Sequence, residues 1–268
     1  MPTLLAQLTD PHILAAGRTA FGGRVDTGAC LTEAVRSVLA LPQQPDAVLL
    51  TGDLVDSGSA AEYAHLSALL DPLPMPLYLL PGNHDHRDAL RRAFPAHGYL
   101  PADGFAQYTV RVGGLRLIVL DTSEPGRSDG RLCEARLAWL EARLAESGND
   151  PVVIAMHHPP FATGIAGMDR IGLTEGGDAL ERIVARRPNV ERIICGHLHR
   201  TIVRRFGNTI ASTAPSTAHQ IVADFDPAAA ARWSLEPPGF QLHRLDETGA
   251  LVTHVVPTGR FDGPYPFR

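Results

Sequence analysis

The sequence predicts an α/β protein built from two packed mixed β-sheets flanked by helices. Three features carry this expectation. Short apolar runs suited to strands buried on both faces alternate with helical patterns through the first two thirds of the chain. Hairpin signals at Gly113-Gly114, Gly207-Asn208 and Glu247-Thr248-Gly249 add antiparallel strands, and this mixture suits two sheets better than one. Finally, five apolar runs end in clusters of Asp, His and Asn, at the strand ends where open α/β sheets hold their sites.

Leu4 to Leu8, Ala47 to Leu50 and Leu77 to Leu80 read as strands. Between them a helix is predicted from Thr27, taken as its N-cap, with Leu31, Val35, Val38 and Leu39 on one face and Pro42 ending it. Ser59 to Leu70 repeats the pattern. Tyr108 to Val112 and Leu115 to Leu120 form a hairpin that delivers Asp121-Thr122. Leu137, Leu140 and Leu144 with Trp139 mark a helix, followed by the strand Val152 to Ala155 and a helix from about Gly177 to Arg187. Arg192 to Cys195, the hairpin Ile202 to Ser212, and a last hairpin of Phe240 to Leu245 and Leu251 to Val256 complete the strands. Residues 224–239 permit a short helix inside a loop. With no internal repeat or low-complexity linker, a single domain is expected over 1–268, with a mostly β C-terminal part from about residue 220.

Composition narrows the function. The 268 residues carry a formal net charge of −5, so no basic surface invites general nucleic-acid binding. Cys30, Cys133 and Cys195 are odd in number and far apart, which reads as reduced thiols. With neither a basic leader nor an apolar span of membrane length, the expected location is the cytoplasm, away from membranes.

The strand-end clusters are Asp10-Pro11-His12, Gly52-Asp53-Leu54-Val55-Asp56, Gly82-Asn83-His84-Asp85, Met156-His157-His158-Pro159-Pro160 and Gly196-His197-Leu198-His199. Together they offer oxygen and nitrogen donors enough for two adjacent metal ions, with no cysteine among them. Gly52, Gly82 and Gly196 suit tight turns where each strand ends. In this order, over residues 4 to 199, the motifs resemble the calcineurin-like metallophosphoesterase superfamily. Tyr78 to Asp85, His157-His158-Pro159-Pro160, Met168 to Ile171 and the segment Ser212-Thr213 to His219-Gln220 most resemble its class III cyclic-nucleotide phosphodiesterase and glycerophosphodiesterase branch.

The resemblance implies a four-layer α/β/β/α sandwich and a binuclear centre. One metal would be held by Asp10, His12, Asp53 and His199, and the second by Asp53, Asn83, His157 and His197, with Asp53 bridging. Mixed imidazole and oxygen donors suit two divalent ions of Fe, Mn, Zn or Co better than Mg or Ca. A metal-bridging hydroxide would attack phosphorus in line, while His84, left free of metal, stabilises or protonates the leaving group. Asp56, Asp85 and His158 are expected to orient ligands. His219 either lines the substrate pocket or supports His84, and Met168 and Asp169, in a Gly-rich loop, either line it or form a plain turn. His65, His86, His97, His243 and His254 receive no function.

Phosphoprotein phosphatases of the superfamily carry Arg where this chain has Ser57 and Pro81. Without those forks for a dianionic phosphate, a small-molecule phosphodiester is the expected substrate, cyclic 3′,5′-nucleotides such as cAMP or glycerophosphodiesters. A phosphomonoesterase or nuclease of the same superfamily is the alternative, and a non-catalytic metal-binding interaction module a remote one. The aromatic tail Phe261, Tyr265 and Phe267 suggests a homo-oligomer.

Overall fold

The computed structural model describes residues 2–267. Its first βα units are β1 (Thr3–Leu8), α1 (Thr27–Leu39), β2 (Ala47–Thr51), α2 (Ala60–Leu70), β3 (Leu77–Leu80) and α3 (Arg87–Ala93). A hairpin, β4 (Tyr108–Val112) and β5 (Leu115–Val119), precedes β6 (Gly130–Arg131), α4 (Glu134–Glu146), β7 (Val152–Met156), α5 (Ala166–Asp169), β8 (Leu173–Glu175), α6 (Gly177–Ala185) and β9 (Val190–Cys195). The chain continues through β10 (Ile202–Phe206), β11 (Thr209–Thr213), β12 (Gln220–Ile221), β13 (Trp233–Ser234), β14 (Gly239–Leu245) and β15 (Leu251–Pro257).

Two main sheets result, ordered β15-β14-β1-β2-β3 and β10-β11-β9-β7-β5-β4. In each, the central strands run parallel and hairpin partners close an edge. Side-chain parity then makes the layers, because successive residues of a strand face opposite sides. Ala6, Leu8, Val48 and Leu50 pack under Leu31, Val35, Leu66 and Leu90 of the first helices. Leu5 and Leu49 point the other way and meet Leu117, Val119, Val153 and Ile194 between the sheets. Ile118, Ile154 and Ile193 cover the far side with Leu140, Leu144 and Leu180 of α4 and α6. Three apolar cores therefore separate four layers, α/β/β/α. Among the described residues no helix is long and apolar enough to cross a membrane.

One polar rung crosses the inter-sheet core. Gln7 donates from Nε2 to Thr51 Oγ1 at 2.9 Å and to the Cys195 carbonyl at 3.0 Å, and its Oε1 lies 3.0 Å from His243 Nε2. Burial holds His243 down to about 3, so the ring is neutral and donates to Gln7 while accepting from Thr253.

Several local expectations change. Asp26, rather than Thr27, caps α1, accepting from the Ala29 N–H at 2.9 Å. Its carboxylate reaches the free amide, while the Thr27 hydroxyl is buried inside the first turn. Leu39 turns to solvent and Ala34 takes its place on the buried face. Residues 224–239 form no helix; 224–232 belong to an excursion closed by the β12–β13 ribbon, and 235–238 lead into β14. Met168 and Asp169 lie on a single helical turn, α5, not in an open loop. The last hairpin, β14–β15, joins the first sheet beside β1.

At α2, Ser59 and Glu62 form a capping box, and the Glu62 carboxylate also accepts from the Ser57 N–H at 3.0 Å, which ties the helix start to the loop after Asp53. Ser59→Ala is expected to lower unfolding free energy by about 1 kcal/mol in urea titration. Glu62→Ala should cost more, because the amides of both Ser57 and Ser59 then lose their acceptor.

Candidate dimetal site

Loops after β1, β2 and β3 of the first sheet and β7 and β9 of the second meet at one edge. Backbone bonds hold neighbouring ends together within each sheet, Asp10 N–H to Gly52, His12 N–H to Asp53 and Gly196 N–H to His157. Across the sheets, the His197 N–H donates to the Asp10 carboxylate and His157 Nδ1 to the Thr51 carbonyl. The turns are sharp. Asp10, His12, Asp53, His197 and His199 all have left-handed backbones, with φ between 45° and 69°, and among the described non-glycine residues only Phe21 joins them. Left-handed residues turn their side chains out of the strand direction at a cost of about 1–3 kcal/mol each. Gly82 serves a different need: a Cβ there would strike the Asp53 carboxylate and amide.

One donor atom each from Asp10, His12, Asp53 and His199 lie within 4.8 Å of one another. His157 and His197, with His158, form a neighbouring group, and Asn83 Oδ1 lies 3.2 Å from His157 Nε2. Asp53 stands between the two sets. Its Oδ2 is 3.6 Å from His12 Nε2 and its Oδ1 3.4 Å from His157 Nε2, so each oxygen addresses a different group. His157 Nδ1 faces the Thr51 carbonyl at 2.8 Å and His199 Nδ1 faces the His219 carbonyl at 2.9 Å. A nitrogen facing a carbonyl carries the proton, which leaves Nε2 of both rings free to bind a cation.

Charge makes the same demand. Burial opposes ionisation of Asp10, yet the His199 and His157 imidazoles outweigh it and hold the carboxyl at about 2. Burial likewise opposes ionisation of Asp53, and His157 and His12 drive it well below the ordinary range. Those carboxylates draw a proton onto His157 against its burial, raising it to about 9, whereas burial leaves His197 neutral at about 3. A cation at the shared centre would displace that proton. His197 Nε2 is buried without a hydrogen-bond partner among the described residues, which costs desolvation. The donor set therefore fits a pair of cations.

The remaining expected residues divide by contact. His84 donates its amide to Asp53 Oδ1 at 2.9 Å, and its Nδ1 lies 2.6 Å from the Asp56 carbonyl, which directs Nε2 away from that anchor. Burial acts against a charged His84 ring, but Asp53 and Asp56 raise it above the ordinary histidine value. The Asp56 carboxylate lies 3.7 Å from His12 Nδ1. Asp85 touches no ligand ring; it accepts from the Leu54 and Gly82 amides and the Tyr63 hydroxyl, pinning two metal loops to α2. Both nitrogens of His158 are engaged, with Thr122 and Ser128, so it packs beside His197 without a free donor. Met168 and His219 line the cleft over the ligands, a space of about 260 Å³. The His219 support goes to His199, through its carbonyl, and not to His84. Asp169 is turned away: its carboxylate holds the Thr163 and Gly164 amides and borders a separate surface cleft. Phe21 and Ile221, which no motif flagged, also line the cleft, as does Ile171 at the end of the Met168 to Ile171 segment.

The dimetal-type donor set at the edge of two stacked mixed sheets defines a metallophosphoesterase. A family model of the calcineurin-like phosphoesterases matches residues 3–201, and the chain belongs to that family. It is 34% identical over 264 residues to a probable glycerophosphodiester phosphodiesterase GpdQ of Arcobacter nitrofigilis, covering 98% of this chain and 96% of the relative. It is 31% identical over 252 residues to a 3′,5′-cyclic adenosine monophosphate phosphodiesterase CpdA of Pseudomonas aeruginosa, covering 94% and 89%. A dimetal phosphatase from Danio rerio shares the fold, with a TM-score of 0.66 at 16% identity over 96% of this chain and 99% of that one.

Asp53→Ala is expected to lower metal content at both positions, because this carboxylate faces an imidazole of each donor group, His12 and His157. Elemental analysis after gel filtration checks it. Two retained ions per chain would remove the bridge.

Proposed function

We propose that the protein hydrolyses small-molecule phosphodiesters, cyclic 3′,5′-nucleotides and glycerophosphodiesters, with two divalent ions held by Asp10, His12, Asp53 and His199 and by Asp53, Asn83, His157 and His197. The observation that carries the diester is the wall of the cleft. Among the described residues that line it are imidazoles, carboxylates, Asn83 and apolar side chains, with no guanidinium or ammonium. A dianionic monoester calls for such cations beyond the metals, whereas a monoanionic diester does not. Ser57 turns its hydroxyl to Glu62 instead. The relatives named for glycerophosphodiester and cyclic-nucleotide hydrolysis support the same class. The imidazole and oxygen donors support Fe, Mn, Zn or Co. Three free cysteines support a reducing compartment such as the cytoplasm.

Bound metals supply Lewis acidity that activates water and neutralises charge on the phosphoryl oxygens. The chain supplies the geometry. Asp53 and Asp10 would hold the cations, the Thr51 and His219 carbonyls fix the tautomers of His157 and His199, and the Asp56 carbonyl fixes that of His84. His84 Nε2 is then the proton donor to the departing alkoxide, and the Asp53 and Asp56 charges favour its protonated form.

His84→Ala is expected to keep both metals and to slow hydrolysis of alkyl diesters by about 10²–10⁴-fold. Activated aryl esters, whose leaving groups need no proton, should lose less. Equal losses for both would exclude proton donation.

The exposed tail side chains Phe261, Tyr265 and Phe267 support a closed homo-oligomer. Light scattering on the full chain and on one ending at Pro257 is expected to give a smaller assembly for the shorter chain. A monomeric full chain would count against it.

A further inference from the structure

At the rim of the metal cleft stands an aromatic pair that the metal chemistry does not require. Phe21 and Trp233 stack with centroids 4.2 Å apart and planes 26° from parallel, and His219 meets Phe21 edge-on at 4.8 Å. His219 in turn lies 5.5 Å from His12 and 4.6 Å from His199, so a single imidazole separates the pair from the metal-binding rings. Met168, Ile171 and Ile221 continue the apolar wall.

Neither member of the pair is placed by ordinary packing. Phe21 is 42% exposed, and it opens a turn in which three successive residues are left-handed, with φ of 50°, 66° and 91° for Phe21, Gly22 and Gly23. A bulky side chain is out of place in that conformation unless the ring has a task there. Trp233 arrives on the β12–β13 ribbon, whose Ile221 packs against the small cluster of Ile165, Met168 and Leu198, and it is itself a member of none of the buried cores. Beside the pair, the buried His219 Nδ1 has no hydrogen-bond partner among the described residues.

We infer that Phe21 and Trp233 form a stacking subsite for a planar ring carried on the substrate, so that the site reads the nucleobase of a nucleotide diester. This rests on the phosphodiesterase reading above. Stacked face to face, the two rings cover each other's inner faces and leave an outer face on which a base would extend the stack. A quaternary ammonium is held differently, by faces of several rings converging on it as a cage.

The test uses the metal-loaded full chain and the hydrolysis of methyl p-nitrophenyl phosphate, with AMP, ribose 5-phosphate and phosphocholine as competing inhibitors. AMP is expected to inhibit about tenfold more tightly than ribose 5-phosphate, within the range that base–aromatic stacking provides. In Trp233→Ala and in Phe21→Leu this ratio should fall to about one, with melting followed by circular dichroism to confirm that each variant is folded. Trp139→Phe leaves Trp233 as the sole tryptophan, and its fluorescence should be quenched by AMP and not by ribose 5-phosphate. A wild-type ratio near one, a ratio unchanged in both variants, or tighter inhibition by phosphocholine than by AMP would overturn the subsite. If the loaded chain hydrolysed no diester, the phosphodiesterase reading would fail by itself, and the fluorescence titration would still decide whether the shelf holds a ring.

Discussion

Everything at the functional edge depends on the Asp53 carboxylate, which is buried, ionised and faced by imidazoles from two different sheets. A buried negative charge is tolerated only when positive or hydrogen-bonding groups are fixed around it. Asp53 receives the His84 amide at 2.9 Å and has His12 and His157 on opposite sides. His12 comes from the end of β1 and His157 from the end of β7, so the first sheet and the second must stay in one relative position for the charge to be satisfied. The apolar core between them, built on Leu5, Leu49, Leu117 and Val153, holds that position. Stacking of the layers is thus a condition of the electrostatics and not only a way to bury surface.

Strain follows from the same constraint. Five donor residues take left-handed backbones because a strand continued in its own direction would carry their side chains past the common centre. The cost is offset locally. Asp10 and His12 donate to the backbone beyond β2, and Asp85 gathers the Leu54 and Gly82 amides. Those bonds leave the loops little freedom to relax when a ligand side chain is removed. Substitutions at donor residues should therefore affect metal retention more than the placement of their neighbours.

How much of this was legible in the sequence depended on range. Apolar runs and capping residues are local signals, so β1, β2, β7 and α2 fell where their patterns placed them. The grouping of Asp10, His12, Asp53 and His199 was legible only through the family resemblance that their motifs carry, and the strand ends bring these four together at one edge. What escaped was long-range. Nothing about Trp233 in the sequence tells that it meets Phe21 more than two hundred positions earlier, because the contact is made by an excursion without periodicity. Asp169 stayed open between two readings, because a carboxylate next to a Gly-rich stretch suits a pocket or a turn equally, and its bonds to the Thr163 and Gly164 amides favour the turn. Asp26 displaced Thr27 as a cap because both types cap helices, and only geometry tells which side chain reaches the amide.

The C-terminal hairpin lies beyond every metal motif and yet bears on the metal edge. β14 pairs with β1 and places His243 against Gln7, whose other end holds the Thr51 hydroxyl and the Cys195 carbonyl. Thr51 precedes Gly52-Asp53, and its carbonyl fixes the His157 tautomer. Cys195 immediately precedes Gly196-His197. A neutral, buried His243 therefore helps orient one glutamine that ties the last residues of β2 and β9 together just before both enter the site. Removal of the hairpin would uncover an edge of β1 and would also loosen Gln7, the side chain that spaces two donor loops from opposite sheets. The sequence distance between His243 and the metal residues is large, but the structural distance is a short chain of hydrogen bonds through a low-dielectric core, where such bonds hold their geometry most firmly.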